Sequence, residues 1–225
     1  DVSFEEAAIC HIGNFPLAAL RKTRLEIGES AMVMGLGTLG MLAVTYARAA
    51  GAAPIIAVDP IEARRNKALR FGADYAFDPT QKDFAEQVKK VTGGGVNAAI
   101  EVTGLGIGLD ECLDCMARFG RVALLGCTRD KNFTIDYYRK VHGPGIKLIG
   151  AHTAARPEYE SYPGYFTHSD DIKAQLRLMA LHRVNIGALI DETHSPEECA
   201  EVYRRLIEAR DFPTFVQFDW RKLCD

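Results

Sequence analysis

Apolar residues in this chain fall into short unbroken runs, and stretches of helical spacing alternate with them from residue 31 onward. The runs Ala31–Met34, Pro54–Val58, Tyr75–Phe77, Val96–Val102, Arg121–Leu125 and Ile146–Gly150 are short and turn-bounded, so they read as buried strands. Between them, Thr38–Ala50, Ile61–Phe71, Phe84–Val91 and Leu109–Arg118 place apolar residues three and four apart, the period of an amphipathic helix. The punctuation agrees. Gly72 is placed to end one helix, Asp78-Pro79 stops a strand, glycines 93–95 close another helix, and Gly104 to Gly108 read as a flexible loop. Strand and helix alternating at this spacing predict an α/β fold, a doubly wound parallel sheet of roughly six strands.

The flanks have a different texture. Glu5–Arg24 is one helical stretch ahead of the first strand. From about Ala155 the chain turns polar, aromatic and proline-bearing, a long connection leading into a helix at Asp171–His182. An extended stretch at Ala188–Glu192 follows. Next comes a helix opened by Ser195, with Pro196 in its first turn and Glu198 completing a capping box, and then a strand at Thr214–Phe218. Three segments result: 1–30 as a helical flank, 31–153 as the sheet domain, and 154–225 as elements that return to a second unit.

Candidate chemistry begins where the first strand ends. The strand runs into Gly35-Leu36-Gly37-Thr38-Leu39-Gly40, the helix follows, and the second strand closes on an acid, Asp59. Strand, glycines, helix, strand and acid in this order form the dinucleotide-binding fingerprint of the Rossmann fold. Gly35 serves the tight turn, Gly37 the close approach of a diphosphate, and Gly40 the packing of helix on sheet. The helix start favours the diphosphate charge, and Asp59 can accept hydrogen bonds from both ribose hydroxyls. A carboxylate there would repel the 2′-phosphate of NADP, so NAD is the expected cofactor. Val102-Thr103-Gly104 and Leu125-Gly126-Cys127 end two further parallel strands, where such folds bind ligands, and are expected to line the same groove.

Composition removes other classes. The chain has 225 residues, 48% hydrophobic and 25% charged, the proportions of an ordinary globular protein. A net charge of −3 gives no electrostatic case for nucleic acid or anionic membrane. No apolar run has the length of a membrane span, and no signal peptide opens the chain. Its start at Asp1 reads as a fragment or a processed form. The cysteines at 10, 112, 115, 127, 199 and 224 are scattered, without the spacing of a disulfide scaffold, which suits a reducing cytoplasm. Cys112 and Cys115 form a C-x-x-C inside a predicted helix. With no second such pair to complete a zinc site, they read as two cysteines on one helical face.

The segments EEAAICHIGNFPLAALRK, VMGLGTLG, AVDPIEARRNKALRFGADYAFDP, GGGVNAAIEVTG, FGRVALLG and SPEECAEVYRRLIEARDFPTFVQFD resemble, nearly end to end, the medium-chain dehydrogenase/reductase family. This family contains the zinc-type alcohol, polyol and threonine dehydrogenases. The resemblance implies an NAD-dependent oxidoreductase that moves a hydride between nicotinamide and a small alcohol, polyol or ketone. It also implies that the chain is the cofactor-binding portion, without the catalytic domain that carries most zinc ligands. Cys10, twenty-five residues before Gly35, corresponds to the last catalytic zinc ligand of the zinc enzymes. Zinc is therefore implied for the intact enzyme and not expected in this portion, and adjacent His11 diverges from Cys10 around the helix.

The family likeness also places Arg64 at the adenosine ribose, with Arg65 left as a solvated charge. It sets the turn Gly150-Ala151-His152 beside the nicotinamide, where His152 is a possible polar contact. Asn14-Phe15-Pro16 and Pro213 depart from the alcohol dehydrogenase pattern. Family dimers pair the last strand with its own copy, so a homodimer through Ile146–Gly150 is expected unless the Pro157–Asp170 connection covers that edge. Two alternatives stand beside this reading: a zinc-independent quinone or enone reductase of the same family, and a nucleotide-binding module without catalysis. The portion alone is expected to bind cofactor without turnover.

Overall fold

The computed structural model describes residues 1–128, 132–209 and 211–223. Cys224 lies outside the described residues. Six parallel strands form the central sheet: β1 (Ala31–Met34), β2 (Ile55–Val58), β3 (Tyr75–Phe77), β4 (Val96–Glu101), β5 (Met116–Leu124) and β6 (Lys147–Gly150). Their spatial order is β3-β2-β1-β4-β5-β6, the doubly wound order with its switch point between β1 and β4. Alternation along each strand feeds two cores. Val33, Ile55 and Ala57 pack on one face with α2 (Cys10–Thr23) and α3 (Thr38–Ala49), whereas Met32, Met34, Ile56 and Val58 pack on the other with α5 (Phe84–Thr92) and α6 (Gly106–Asp114). Both faces are covered, which is why the strands read as continuous apolar runs.

The flanks join the first core. The helical stretch expected at Glu5–Arg24 is two helices, α1 (Phe4–Ala8) and α2, parted at Ile9. A Ser3–Glu6 capping box starts α1, which has no buried residue, whereas α2 packs with α3 in the first core. α7 (His168–Ala180) packs on α2 and starts three residues earlier than expected, because the Thr167 hydroxyl accepts from the Asp170 amide as its cap. A two-stranded parallel sheet, β7 (Glu192–His194) and β8 (Val216–Phe218), stands apart from the central one, with α8 (Cys199–Glu208) between its strands. Ala188–Glu192 is not extended throughout: Gly187–Leu189 form a 3-10 turn. The last strand begins at Val216 rather than Thr214, and the Phe215 carbonyl just before it accepts from the Asp191 and Glu192 amides.

One stretch expected as a loop is helical. Gly106 and Gly108 sit inside α6, not in a flexible loop, and the helix ends at Asp114, so the expected helical residues 116–118 belong to β5. These glycines answer crowding: a Cβ at Gly108 would collide with the Thr103 hydroxyl, and one at Gly106 with Phe133. The extra length of β5 is taken up by a register shift opposite Val96 and by Phe119, whose φ of 63° is left-handed.

Candidate dinucleotide site

The groove lies beyond the carboxyl ends of β1, β2 and β4. Gly35 leaves β1 at a φ of +97°, a backbone that side chains disfavour, and its amide still bonds the Val58 carbonyl at 2.8 Å. Helix α3 starts at once, and its first internal bond runs from the Met41 amide to the Gly37 carbonyl. The amides of Gly37, Thr38 and Leu39 head the helix without an intrahelical acceptor, so the positive end of its dipole opens on the groove. Two glycines here have opposite surroundings. A Cβ at Gly37 would meet nothing within 4 Å, whereas one at Gly40 would strike the Gly35 carbonyl. The first leaves room for a ligand, and the second lets helix and strand touch.

Asp59 forms the far wall. Its carboxylate is buried and accepts from the Leu36 amide and the Ile61 amide, each at 2.8 Å. These bonds tie the glycine turn to the end of β2 and leave lone pairs toward the groove. Arg64, one turn into α4 (Glu62–Arg70), stands 3.7 Å from the same carboxylate. Gly35–Leu39, Asp59–Ile61, Arg64, Val102 and Thr103 enclose a cavity of 480 Å³. The fit to a dinucleotide rests on that open space over Gly37, the unused amides beside it and an acid facing them.

The remaining expected site residues take other places. Gly40 lies under the turn rather than in the cavity wall. Gly104 and Gly126 pack backbone to backbone behind Val102 and Thr103, and Cys127 is exposed. Leu125 and Ala151 are buried, the Ala151 amide bonding the Leu124 carbonyl at 3.1 Å. His152 is exposed and accepts only locally, from the Ala154 amide. Arg65 is no solvated charge. Its guanidinium donates to the Asp59 and Pro60 carbonyls at 2.7 and 2.9 Å and faces Asp78, tying β2 to β3.

Sequence reasoning overlooked two groups beside this site, neither lining its cavity. Glu101, which ends β4, is buried and accepts from the amides of Thr103 and Gly104 and from the Thr103 hydroxyl. Burial pushes its carboxyl above the usual range against those donors. A single acid closing an apolar strand was the available signal. The other group is Lys67, a buried cation on α4 that reaches Asp191, for which no local signal existed.

Zinc does not fit the donor set present. The Cys10 thiol is buried in the first core, and burial pushes it above its ordinary range, whereas a zinc ligand must be thiolate. His11 faces away, its ring 5.1 Å from that of His168. Among the described residues no group of three His, Cys, Asp or Glu could hold a metal ion. Cys112 and Cys115 are free, fully buried thiols whose desolvation raises them, Cys115 to about 12. Among the described residues no helix is long and apolar enough to cross a membrane.

The chain is similar to known proteins in sequence and in fold. The model of the zinc-binding dehydrogenase family matches residues 38–165. L-threonine 3-dehydrogenase of Pyrococcus furiosus is 40% identical over 124 residues, which make up 55% of this chain and 35% of the relative. The crystal structure of 2R,3R-butanediol dehydrogenase from Bacillus subtilis superposes with a TM-score of 0.76 at 27% identity, over 92% of this chain and 56% of that one. A short chain alcohol dehydrogenase of Escherichia coli CFT073, complexed with NADH, shares the fold with a TM-score of 0.80 at 14% identity, over 96% of this chain and 59% of that one. The chain thus spans about a third of the first relative's length and little over half of the two solved chains.

Proposed function

Because the chain belongs to the zinc-binding dehydrogenase family, we propose that it is the cofactor-binding part of an NAD-dependent oxidoreductase acting on a small alcohol or polyol. When bound, the nicotinamide would supply or accept a hydride; this chain's residues bind and orient it. The Gly37, Thr38 and Leu39 amides would hold the diphosphate, and Asp59 the adenosine ribose hydroxyls. Arg64 neutralises Asp59 from the side of α4, and Val102 and Thr103 form the opposite wall. The observation that carries this reading is the open space over Gly37 facing a buried Asp59.

NAD is preferred to NADP because a 2′-phosphate would be driven against the Asp59 carboxylate. Structures with the same fold were solved with NADH and with NADP, which supports a nicotinamide dinucleotide as the cofactor class and leaves the preference to Asp59. The alcohol and polyol substrate class is taken from the family and from the threonine and butanediol dehydrogenases it resembles. Cys10 cannot serve to choose between a zinc enzyme and a zinc-independent reductase, since its thiol points into the core. Without a metal-ligand set of its own, the portion is expected to bind cofactor without turning over an alcohol.

A homodimer through β6 belongs to the same proposal. β6 is the last strand of the sheet, and Leu148 on it is 37% exposed, while Ile146 is buried in the chain's own core. Exposed Phe119, Tyr137 and Tyr138 lie on the elements leading into that edge. In the Pro157–Asp170 connection, Phe166 stacks on Arg21 and Tyr165 lies under Lys22, whose ammonium donates to the Gly150 carbonyl, so the connection borders one end of β6.

Calorimetric titration with NADH and NADPH tests the cofactor reading. NADH should bind more tightly, and Asp59→Ser should shrink the difference. NADPH binding at least as tightly to the unmodified chain would refute the role given to Asp59.

A further inference from the structure

Lys67 is buried on α4, yet its ammonium reaches across 124 positions of sequence to the C-terminal elements. Nζ donates to both Asp191 oxygens at 2.7 Å, to the Leu189 carbonyl at 2.8 Å and to the Thr214 hydroxyl at 2.8 Å. The Thr214 hydroxyl donates in turn to Asp191 at 3.1 Å, and the Phe215 amide donates to the same oxygen at 3.0 Å. Burial alone would raise the Asp191 carboxyl, but Lys67, the Phe215 amide and Thr214 outweigh it and hold the group below its ordinary range. Every donor of the lysine is used, so the cluster is closed and fully paired.

The cluster is anchored to the dinucleotide groove at two points. The carbonyl of Thr214 accepts from the Thr38 hydroxyl at 2.5 Å, and Thr38 is the first residue of the helix whose amides face the groove. On α4, Arg64 lies three residues before Lys67, hence on the same face, and Arg64 is the group that stands over Asp59. Arg64 and Ile61 also line a smaller cavity of 240 Å³, walled on its other side by Pro213 and Thr214, so the C-terminal segment borders the groove.

We propose that Lys67 and Asp191 are positioning residues of the dinucleotide site, clasping residues 187–209 and 211–218 against α4 and holding the Thr214 carbonyl on Thr38. The proposal rests on the cofactor reading above. It means that the start of α3 and the face of α4 keep their spacing only while the clasp is closed. It also means that a ligand bridging those two elements tightens the clasp, by the reciprocity of coupled equilibria. Neither clasp residue lines the 480 Å³ groove, so both act through Thr38 and Arg64.

The test is a double-mutant cycle read in NADH affinity, supported by hydrogen exchange on the full chain. Asp191→Asn and Thr38→Val should each weaken NADH by about tenfold, and the double variant should lose no more than the weaker single one, because both open one linkage. Thr214→Ser, which keeps both the hydroxyl and the carbonyl and lies outside the groove wall, should bind like the unmodified chain. NADH should slow amide exchange across residues 187–209 and 211–218 in the unmodified chain and not in Asp191→Asn. If Asp191→Asn does not fold, Thr214→Val, which removes one hydroxyl, replaces it in the same cycle. Additive losses, or exchange in those residues indifferent to NADH, would overturn the clasp while leaving the cofactor reading intact. Failure of the unmodified chain to bind NADH would overturn both.

Discussion

Alanine at Gly37 and at Gly40 should separate ligand binding from folding within four residues. At Gly40 the new Cβ would lie 2.9 Å from the carbonyl carbon of Gly35 and nearer still to its oxygen, inside the 3.0 Å that real Cβ atoms respect. The obstacle is backbone, with Val33 Cγ1 behind it at 3.5 Å, so the helix must lift or the turn must shift. Overpacking against backbone, which cannot swing aside, costs about 2–3 kcal/mol, the upper part of the usual range, against about 1 kcal/mol regained from the better helix propensity of alanine. The net loss is about 1–2 kcal/mol, a fall in Tm of about 2–8 °C for a chain of this size.

At Gly37 the φ of −70° suits any residue and the Cβ would enter open space. Losing a glycine N-cap is offset by the lower entropy of the unfolded chain, so Tm should move by no more than about 2 °C. That methyl, however, stands where a diphosphate approaches. Displacing even one charge-assisted bond, worth about 1.5–3 kcal/mol, weakens NADH by about ten- to a hundredfold. Thermal unfolding by circular dichroism and NADH fluorescence titration read the two effects separately. A Gly40→Ala variant as stable as the parent, or a Gly37→Ala variant that binds NADH unchanged, would refute the packing and ligand roles given to these glycines.

Two further outcomes follow from other parts of the molecule. Light scattering at high micromolar concentration should show a dimer that Leu148→Lys reduces to a monomer; a monomeric parent would remove the β6 pairing. His194 sits between Glu192 and Glu198, whose carboxylates raise its imidazole above 6.5. A raised group stabilises fully below its unfolded value and loses that contribution as pH climbs through the folded one. The Tm gap between parent and His194→Gln should therefore be wider at about pH 5.5 than at about pH 9, and a gap independent of pH would exclude the charged pairing.

Features governed by near neighbours were legible from the residues alone. Apolar runs of three to seven residues, glycines at Gly35, Gly37 and Gly40, and an acid closing the second run predicted the parallel sheet, the turn and the groove wall, because backbone sterics and side-chain period act over a few positions. Even the Ser195 cap is local, and it forms as expected, with Glu198 bonding back to the Ser195 amide.

The errors arose where a residue's partner lies far along the chain. Gly106 and Gly108 looked like flexible punctuation, but Phe133 and Thr103 crowd them into a helix. Arg65 became a tie between two strands because Asp78 and the end of β2 meet there. Lys67 and Asp191 are neighbours only once the chain has returned over α4, and a buried ion pair has no periodic signature to betray it. Periodicity and turn chemistry thus determined which elements form and where the groove opens. Which side chains stand in it, beneath it or around it was decided by packing of distant segments, where close contact and the need to pair every buried charge leave few arrangements.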